Sequence, residues 1–143
     1  MNKIIVEVSI GELLDKISIL EIKKEKIKDP KKLEFISNEH SILKDQLDNN
    51  VKTDEKLEKL FQELKEINAK LWVIEDDKRE CEKNKDFGET FIKLSRDVHF
   101  FNDDRAKIKL EINNHTGSTI KEIKEYTSYW INRKVTKLQL KLV

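Results

Sequence analysis

Glycine, proline and cysteine are scarce in this 143-residue chain, which has three, one and one of them. So few breakers leave little material for β-turns or for loops that cradle phosphate. The single cysteine, Cys81, excludes an intramolecular disulfide and a cysteine-rich zinc site. Charge of one sign is also missing, because 29 basic residues face 28 acidic ones for a net charge of +1. That balance argues against a dedicated nucleic-acid binder, which would carry a basic domain or stripe. No apolar run approaches the roughly 18 residues of a membrane span, and the N-terminus lacks a signal-peptide pattern. The expectation is a soluble cytoplasmic protein with no membrane span, no metal and no cofactor.

What the chain does have is Lys, Glu, Leu and Ile, with 40% charged residues, and this composition suits long helices. One domain is the default at this length, and it can bury a core of its own. The expected fold class is all-α: an antiparallel bundle of about four helices with a long central helical hairpin. We place this single helical-bundle domain at residues 1–129 and a basic-aromatic C-terminal extension at 130–143.

The opening Lys3-Ile4-Ile5-Val6-Glu7-Val8 is β-branched and reads as a short N-terminal strand or an extended lead-in. Ser9 and Glu12 match a capping box, with Ile10, Leu13, Ile17 and Leu20 tracing one face behind it. Asp29-Pro30 starts a second helix, which carries Leu33, Ile36, His40, Leu43 and Leu47. A third begins near Thr53-Asp54 and keeps 3,4 spacing from Leu57 to Ile74, with Lys78 and Cys81 next on the seam. Asp86 and Glu89 resemble another capping box, and a fourth helix runs through Phe91, Leu94, Val98, Phe101, Arg105, Ile108 and Ile112 to a stop at Asn113-Asn114 and Gly117. Beyond Trp130, Leu138, Leu140 and Leu142 alternate as in a strand, while Ile131, Val135, Leu138 and Leu142 fit a helix equally well.

Folding the third and fourth helices around their turn sets Ile74 against Val98, Leu71 against Phe101 and Ile67 against Arg105. Glu75 then meets Arg96 as an ion pair. Only four of the 29 basic residues are arginine, and Arg79, Arg96 and Arg105 fall on these two helices. A guanidinium fork suits carboxylate or phosphate better than an ammonium does. One reading is an anion pocket in which the three arginines hold a ligand oriented by Asn68 and Asn102. The other is that the arginines pair with Glu75, Asp97, Asp104 or a neighbouring helix and fix the packing.

Other candidates carry less. His40, His99 and His115 lack metal-ligand spacing. Glu63-x-x-Glu66 and Glu122-x-x-Glu125 read as solvated faces, and Cys81 as a small apolar filler. Ser9, Ser18, Ser95 and Ser118 stand without a recognisable base. The stretch Tyr126–Val143 carries Arg133 and three lysines among Tyr129, Trp130 and Ile131. It suits either an acidic partner or anionic membrane surface, or a last element covering the bundle.

The run Ile4 to Lys23 resembles the opening of the sixty-one sixty-five family of domains of unknown function, small proteins of bacteria and phages. Leu71-Trp72-x-Ile74-Glu75-Asp76, Arg79-Glu80, Phe91-Ile92, Arg96, Asn102-Asp103-Asp104-Arg105-Ala106-x-Ile108-Lys109, Ile112-Asn113 and Gly117-Ser118 with Lys121-Glu122 are similar to it as well, so that the likeness covers about residues 4 to 129. The resemblance implies no mechanism. It implies a setting, since such proteins often stand beside glycosyltransferase or other surface-polysaccharide genes. It also draws attention to Glu75, Arg79, Arg96, Asn102, Asp104 and Arg105, and it adds Asp15 and Lys16 from the first helix. Two expectations follow: a helical accessory protein with a protein partner such as a glycosyltransferase or a second copy of itself as a homodimer, or a small all-α binder or enzyme for an anionic metabolite such as a sugar phosphate or nucleotide sugar.

Overall fold

The computed structural model describes residues 2–127. Four helices follow one another: α1 (Ile10–Lys26), α2 (Pro30–Asn50), α3 (Glu55–Lys83) and α4 (Glu89–Thr116). Among the described residues there is no strand. The alternating pattern beyond Trp130 and the cluster around Arg133 lie outside the described residues.

Local chemistry sets most helix ends. The Ser9 hydroxyl accepts from the Glu12 N–H at 3.0 Å, but the Glu12 carboxylate turns to Lys109 at 2.6 Å instead of closing the capping box. Asp29 caps α2 through the Lys31 N–H, and Pro30 takes the first helical position. Asp54 caps α3 through the Leu57 N–H at 2.8 Å. Gly117 ends α4 with φ +69°, a left-handed conformation that costs a residue without a Cβ nothing. The second expected capping box does not form. Asp86 accepts from the Gly88 N–H at 3.1 Å in a tight turn, so Gly88 is the N-cap and has no side-chain cap bond. Lys85, at φ 52°, carries the strain of that turn.

The hairpin of α3 and α4 is the frame. Lys70 sits 5.6 Å from the centre of the Phe101 ring across the seam, close to the register expected from the sequence. At about 1.5 Å per residue, 29-residue α3 is roughly 44 Å long and 17-residue α1 roughly 26 Å, so the hairpin outreaches α1. The core lies at the base, where Leu14 and Ile17 of α1 meet Leu47 of α2, Leu57, Leu60 and Leu64 of α3, and Ile112 of α4. Burial of this apolar surface is the main force holding the four helices together.

α1 packs against all three other helices, whereas α2 packs mainly on α1, through Ile36 and Leu47. A helix enclosed on three sides buries more than one stripe. Gly11, Leu14, Asp15, Ile17, Ser18, Leu20 and Ile22 are all buried, while Ile10 and Leu13 of the expected face are only partly so. Residues 2–8 do not make the expected strand. They belong to no helix or strand, and Ile4 and Ile5 are about nine-tenths exposed at 91% and 87%.

Candidate functional site

The polar heart of the molecule is Asp15. One and a half turns into α1, it is 2% exposed and faces both helices of the hairpin. A buried carboxylate is costly unless its lone pairs are filled, and here they are filled from two helices. The Asn68 amide of α3 donates to Asp15 Oδ1 at 2.8 Å and to the Ser18 hydroxyl oxygen at 2.8 Å. From α4, Arg105 donates Nε–H to Oδ1 at 2.9 Å and Nη2–H to Oδ2 at 2.5 Å, a bidentate fork. Ser18 in turn donates to the Asp15 backbone carbonyl at 2.7 Å.

One turn further along α4, Lys109 is 7% exposed and carries the network outward. Its ammonium donates to Glu12 at 2.6 Å and to Glu122 at 3.1 Å, and lies 3.9 Å from Asp15. Glu122, exposed as its spacing suggested, is in addition a partner of a buried cation; Lys124 holds its other oxygen at 3.2 Å. Beside this network α1 touches α4 through backbone. The Gly11 N–H donates to Asn113 Oδ1 at 2.7 Å, and the Ile10 N–H to the Ser118 hydroxyl at 3.2 Å.

These contacts set the protonation states. Burial pushes the Asp15 carboxyl up, but the Arg105 and Asn68 hydrogen bonds and the Arg105 and Lys109 charges more than offset it, leaving Asp15 below its ordinary value of 3.8. The Asp15 hydrogen bond raises Arg105 despite burial. For Lys109, burial lowers the affinity for its proton, yet the bonds to Glu12 and Glu122 outweigh it and the result is a raised value. Glu122 is lowered, chiefly by Lys109. Burial raises the Cys81 thiol, with Asp86, Asp77 and Glu80 adding to it, so Cys81 is a thiol at neutral pH, as a buried filler would be.

Of the residues singled out in the sequence, the structure joins Asp15, Asn68 and Arg105, with Asn102 at the edge, its carbonyl 3.4 Å from Arg105 Nη1. It does not bring the three arginines together. Arg96 lies over the Phe100 ring, 6.0 Å from its centre, and does not meet Glu75. Glu75 pairs within α3 with Arg79 at 3.5 Å, where Arg79 is 75% exposed. Lys16 is exposed and lies 3.8 Å from Glu12. Asp104 is half-buried on α4 and held by contacts of its own.

A cavity of about 460 Å³ opens at the end of α1, with Ile19, Ile22, Leu71 and Trp72 beside Glu75, Asp76, Arg79, Asn68 and Arg105. A smaller, polar one of about 260 Å³ lies among Glu12, Asn102, Arg105, Lys109 and Glu122. Arg105 lines both. The histidines go elsewhere: His115 meets Asp54 at 2.8 Å, and His40 Nε2 is buried 3.5 Å from Glu21 without a hydrogen bond to it.

Ser18, Lys109, Gly11 and Asn113 were not identified as site residues from the sequence. The signals were a lysine one turn after Arg105 on the inner face of α4, and a glycine inside the first turn of a helix, where no turn requires it.

The family described as "Family of unknown function (DUF6165)" matches residues 4–135. The chain belongs to this family. The match to DUF6165 takes in all four helices and runs past Trp130 into the C-terminal stretch. No curated protein and no solved structure matches the chain. The Asp15–Asn68–Arg105 cluster and the Gly11–Asn113 contact thus fall inside the region that DUF6165 defines. Among the described residues no helix is long and apolar enough to cross a membrane.

Proposed function

We propose that this DUF6165 chain is a non-catalytic helical accessory protein that acts by docking onto other proteins. The observation that carries the reading is the inward direction of its polar chemistry. Asp15, Arg105, Asn68 and Lys109 satisfy one another across α1, α3 and α4, so the cluster clamps α1 to the hairpin and leaves no side chain poised as base or nucleophile. Apolar groups face the other way. Phe87 and Ile92 near the hairpin turn and Val73 on α3 stand about half exposed. Exposed apolar surface of this kind serves contacts between proteins. The setting implied by the family resemblance makes a cytoplasmic glycosyltransferase of surface-polysaccharide assembly the partner class to examine first. Co-expression with a glycosyltransferase of surface-polysaccharide assembly is expected to yield a complex stable to gel filtration and lost in Ile92→Glu. Separate elution of the two wild-type proteins overturns that partner.

A second reading keeps the cavity at Trp72 as a ligand site. It is favoured by one observation, that Arg79 and Arg105 line the same space, with an apolar wall suited to the body of a small molecule. Glu75 and Asp76 in the same lining oppose an anion, which is why this reading comes second. Thermal unfolding against sugar phosphates, nucleotide sugars and dicarboxylates tests it. A ligand at 100 times its Kd adds about 2.7 kcal/mol, a rise of several degrees. The shift is expected to vanish in Arg79→Ala, whose exposed side chain the fold does not need. No shift with any ligand removes the reading.

A further inference from the structure

The three most exposed large apolar side chains among the described residues, Ile4, Ile5 and Ile123, are not on a helix. Ile4, Ile5 and Val6 are 91%, 87% and 68% exposed on the non-helical segment ahead of α1. Ile123 is 81% exposed on the non-helical segment after α4, with Ile120 and Tyr126 also open to water. The hydrogen bond from the Ile10 N–H to the Ser118 hydroxyl ties the two segments together where they leave the bundle. Among the described residues nothing pairs with the backbone of residues 2–8. A β-branched segment with unpaired backbone N–H and C=O groups is a template for strand pairing.

We propose that residues 3–7 pair with the same residues of a second copy as a two-stranded antiparallel ribbon whose two-fold axis passes through Ile5. This deepens the docking reading above by naming one occupant of one exposed surface. The segment's own order supplies the argument. With Ile5 opposite Ile5 of the second copy, Lys3 stands opposite its Glu7 and Ile4 opposite its Val6. Every pair across the axis is then apolar with apolar or basic with acidic, on the two faces that alternate along a strand. A register shifted by two residues loses this: it sets Lys3 against Ile5 in one direction, or Ile5 against Glu7 and Lys3 against Ser9 in the other. A two-stranded ribbon by itself is marginal in water, and the open side chains of Ile120 and Ile123 provide apolar surface at the same end of the bundle. A self-complementary contact closed by a two-fold axis yields a dimer and not a fibre.

Sedimentation of the full chain over a concentration series is expected to show a monomer–dimer equilibrium. Ile5→Glu places two carboxylates face to face on the axis and is expected to leave only monomer, with helicity unchanged because Ile5 touches none of the core. Lys3→Glu weakens the dimer, and adding Glu7→Lys restores it. In a Cys81→Ala background, Ile5→Cys is expected to form a disulfide-linked dimer under mild oxidation. Lys3→Cys is not, since its copies lie about 14 Å apart along the ribbon at 3.4 Å per residue. A chain that remains monomeric throughout, a dimer indifferent to Ile5→Glu, or equal cross-linking at both positions overturns the proposal. The glycosyltransferase complex is read out separately, so failure of either leaves the other standing.

Discussion

Gly11→Ala is expected to destabilise the domain by about 2–5 kcal/mol, although alanine is the better helix former by about 1 kcal/mol in a helix interior. The sign is decided by the distance between α1 and α4. A Cβ at position 11 would stand 2.6 Å from the Lys109 carbonyl oxygen, 3.2 Å from its carbon, and 2.9 Å from Asn113 Oδ1. The nearest obstacle is backbone in the middle of a helix and cannot rotate away. α1 must therefore lift off α4, which breaks the 2.7 Å bond from the Gly11 N–H and leaves the Asn113 side chain, 1% exposed, without that partner. A buried polar group left unsatisfied costs about 1–3 kcal/mol in addition to the overpacking. Denaturant unfolding measures the loss. Adding Asn113→Ala removes the softer of the two clashes and the orphaned amide but not the carbonyl, so the double variant is expected to stay less stable than Asn113→Ala alone. Recovery in the double variant would show that the side chain, and not backbone proximity, governs the site; a stabilised Gly11→Ala would show that the helices are not so close.

The same contact shows which parts of the architecture were legible. Caps at Ser9, Asp29 and Asp54 and the stop at Gly117 were readable because each is a bond between residues two to four apart. The hairpin was readable because a short turn forces neighbours to be antiparallel, and the numbering then sets the register. Asp86 misled for a local reason of its own, since its carboxylate is held by the Gly88 N–H inside the turn. The strand expected at residues 3–8 has the right residues and lacks a partner within the described chain; pairing is a property of two segments, and one segment cannot reveal it.

What the sequence hid was the position of α1. Its apolar pattern reads as one face, and only enclosure by three helices makes Asp15 and Ser18 interior residues. Arg105 drew attention by being an arginine among lysines, but its partner lies 90 residues away, and no spacing rule links them. Lys109 was overlooked because lysine is the commonest cation here and most of its copies are in water. Burial with two carboxylates gives it a structural part that composition alone assigns to none of them. Glu122 follows from Lys109, and its spacing with Glu125 was a coincidence of a glutamate-rich chain.

The three arginines are expected to separate cleanly by stability. Arg105→Ala leaves the Asp15 carboxylate buried and without the fork that neutralises it, and loss of one partner of such a pair costs about 3–5 kcal/mol. That is a large part of the 5–15 kcal/mol typical of a folded domain, and melting is expected to fall by about 10 °C or more. Arg105→Lys keeps the charge but not the two parallel bonds, and is expected to fall between. Arg79→Ala and Arg96→Ala remove exposed side chains, one paired within its own helix and one lying over Phe100, and are expected to change stability by less than about 1 kcal/mol. The pH dependence identifies the cause. Asp15 titrates below its ordinary 3.8 in the folded chain, so its contribution is complete above that pH and is lost as the pH falls through the lower folded value. Lys109, raised above 10.5, contributes fully below that pH and loses its contribution as the pH rises through its folded value, so acid and alkaline losses belong to different residues. Asp15→Asn is expected to be less stable than wild type at pH 7 and to lose the part of the acid slope that Asp15 provides. An Asp15→Asn variant with an unchanged acid slope, or an Arg79→Ala variant as unstable as Arg105→Ala, would contradict the placement of the clamp at Asp15 and Arg105.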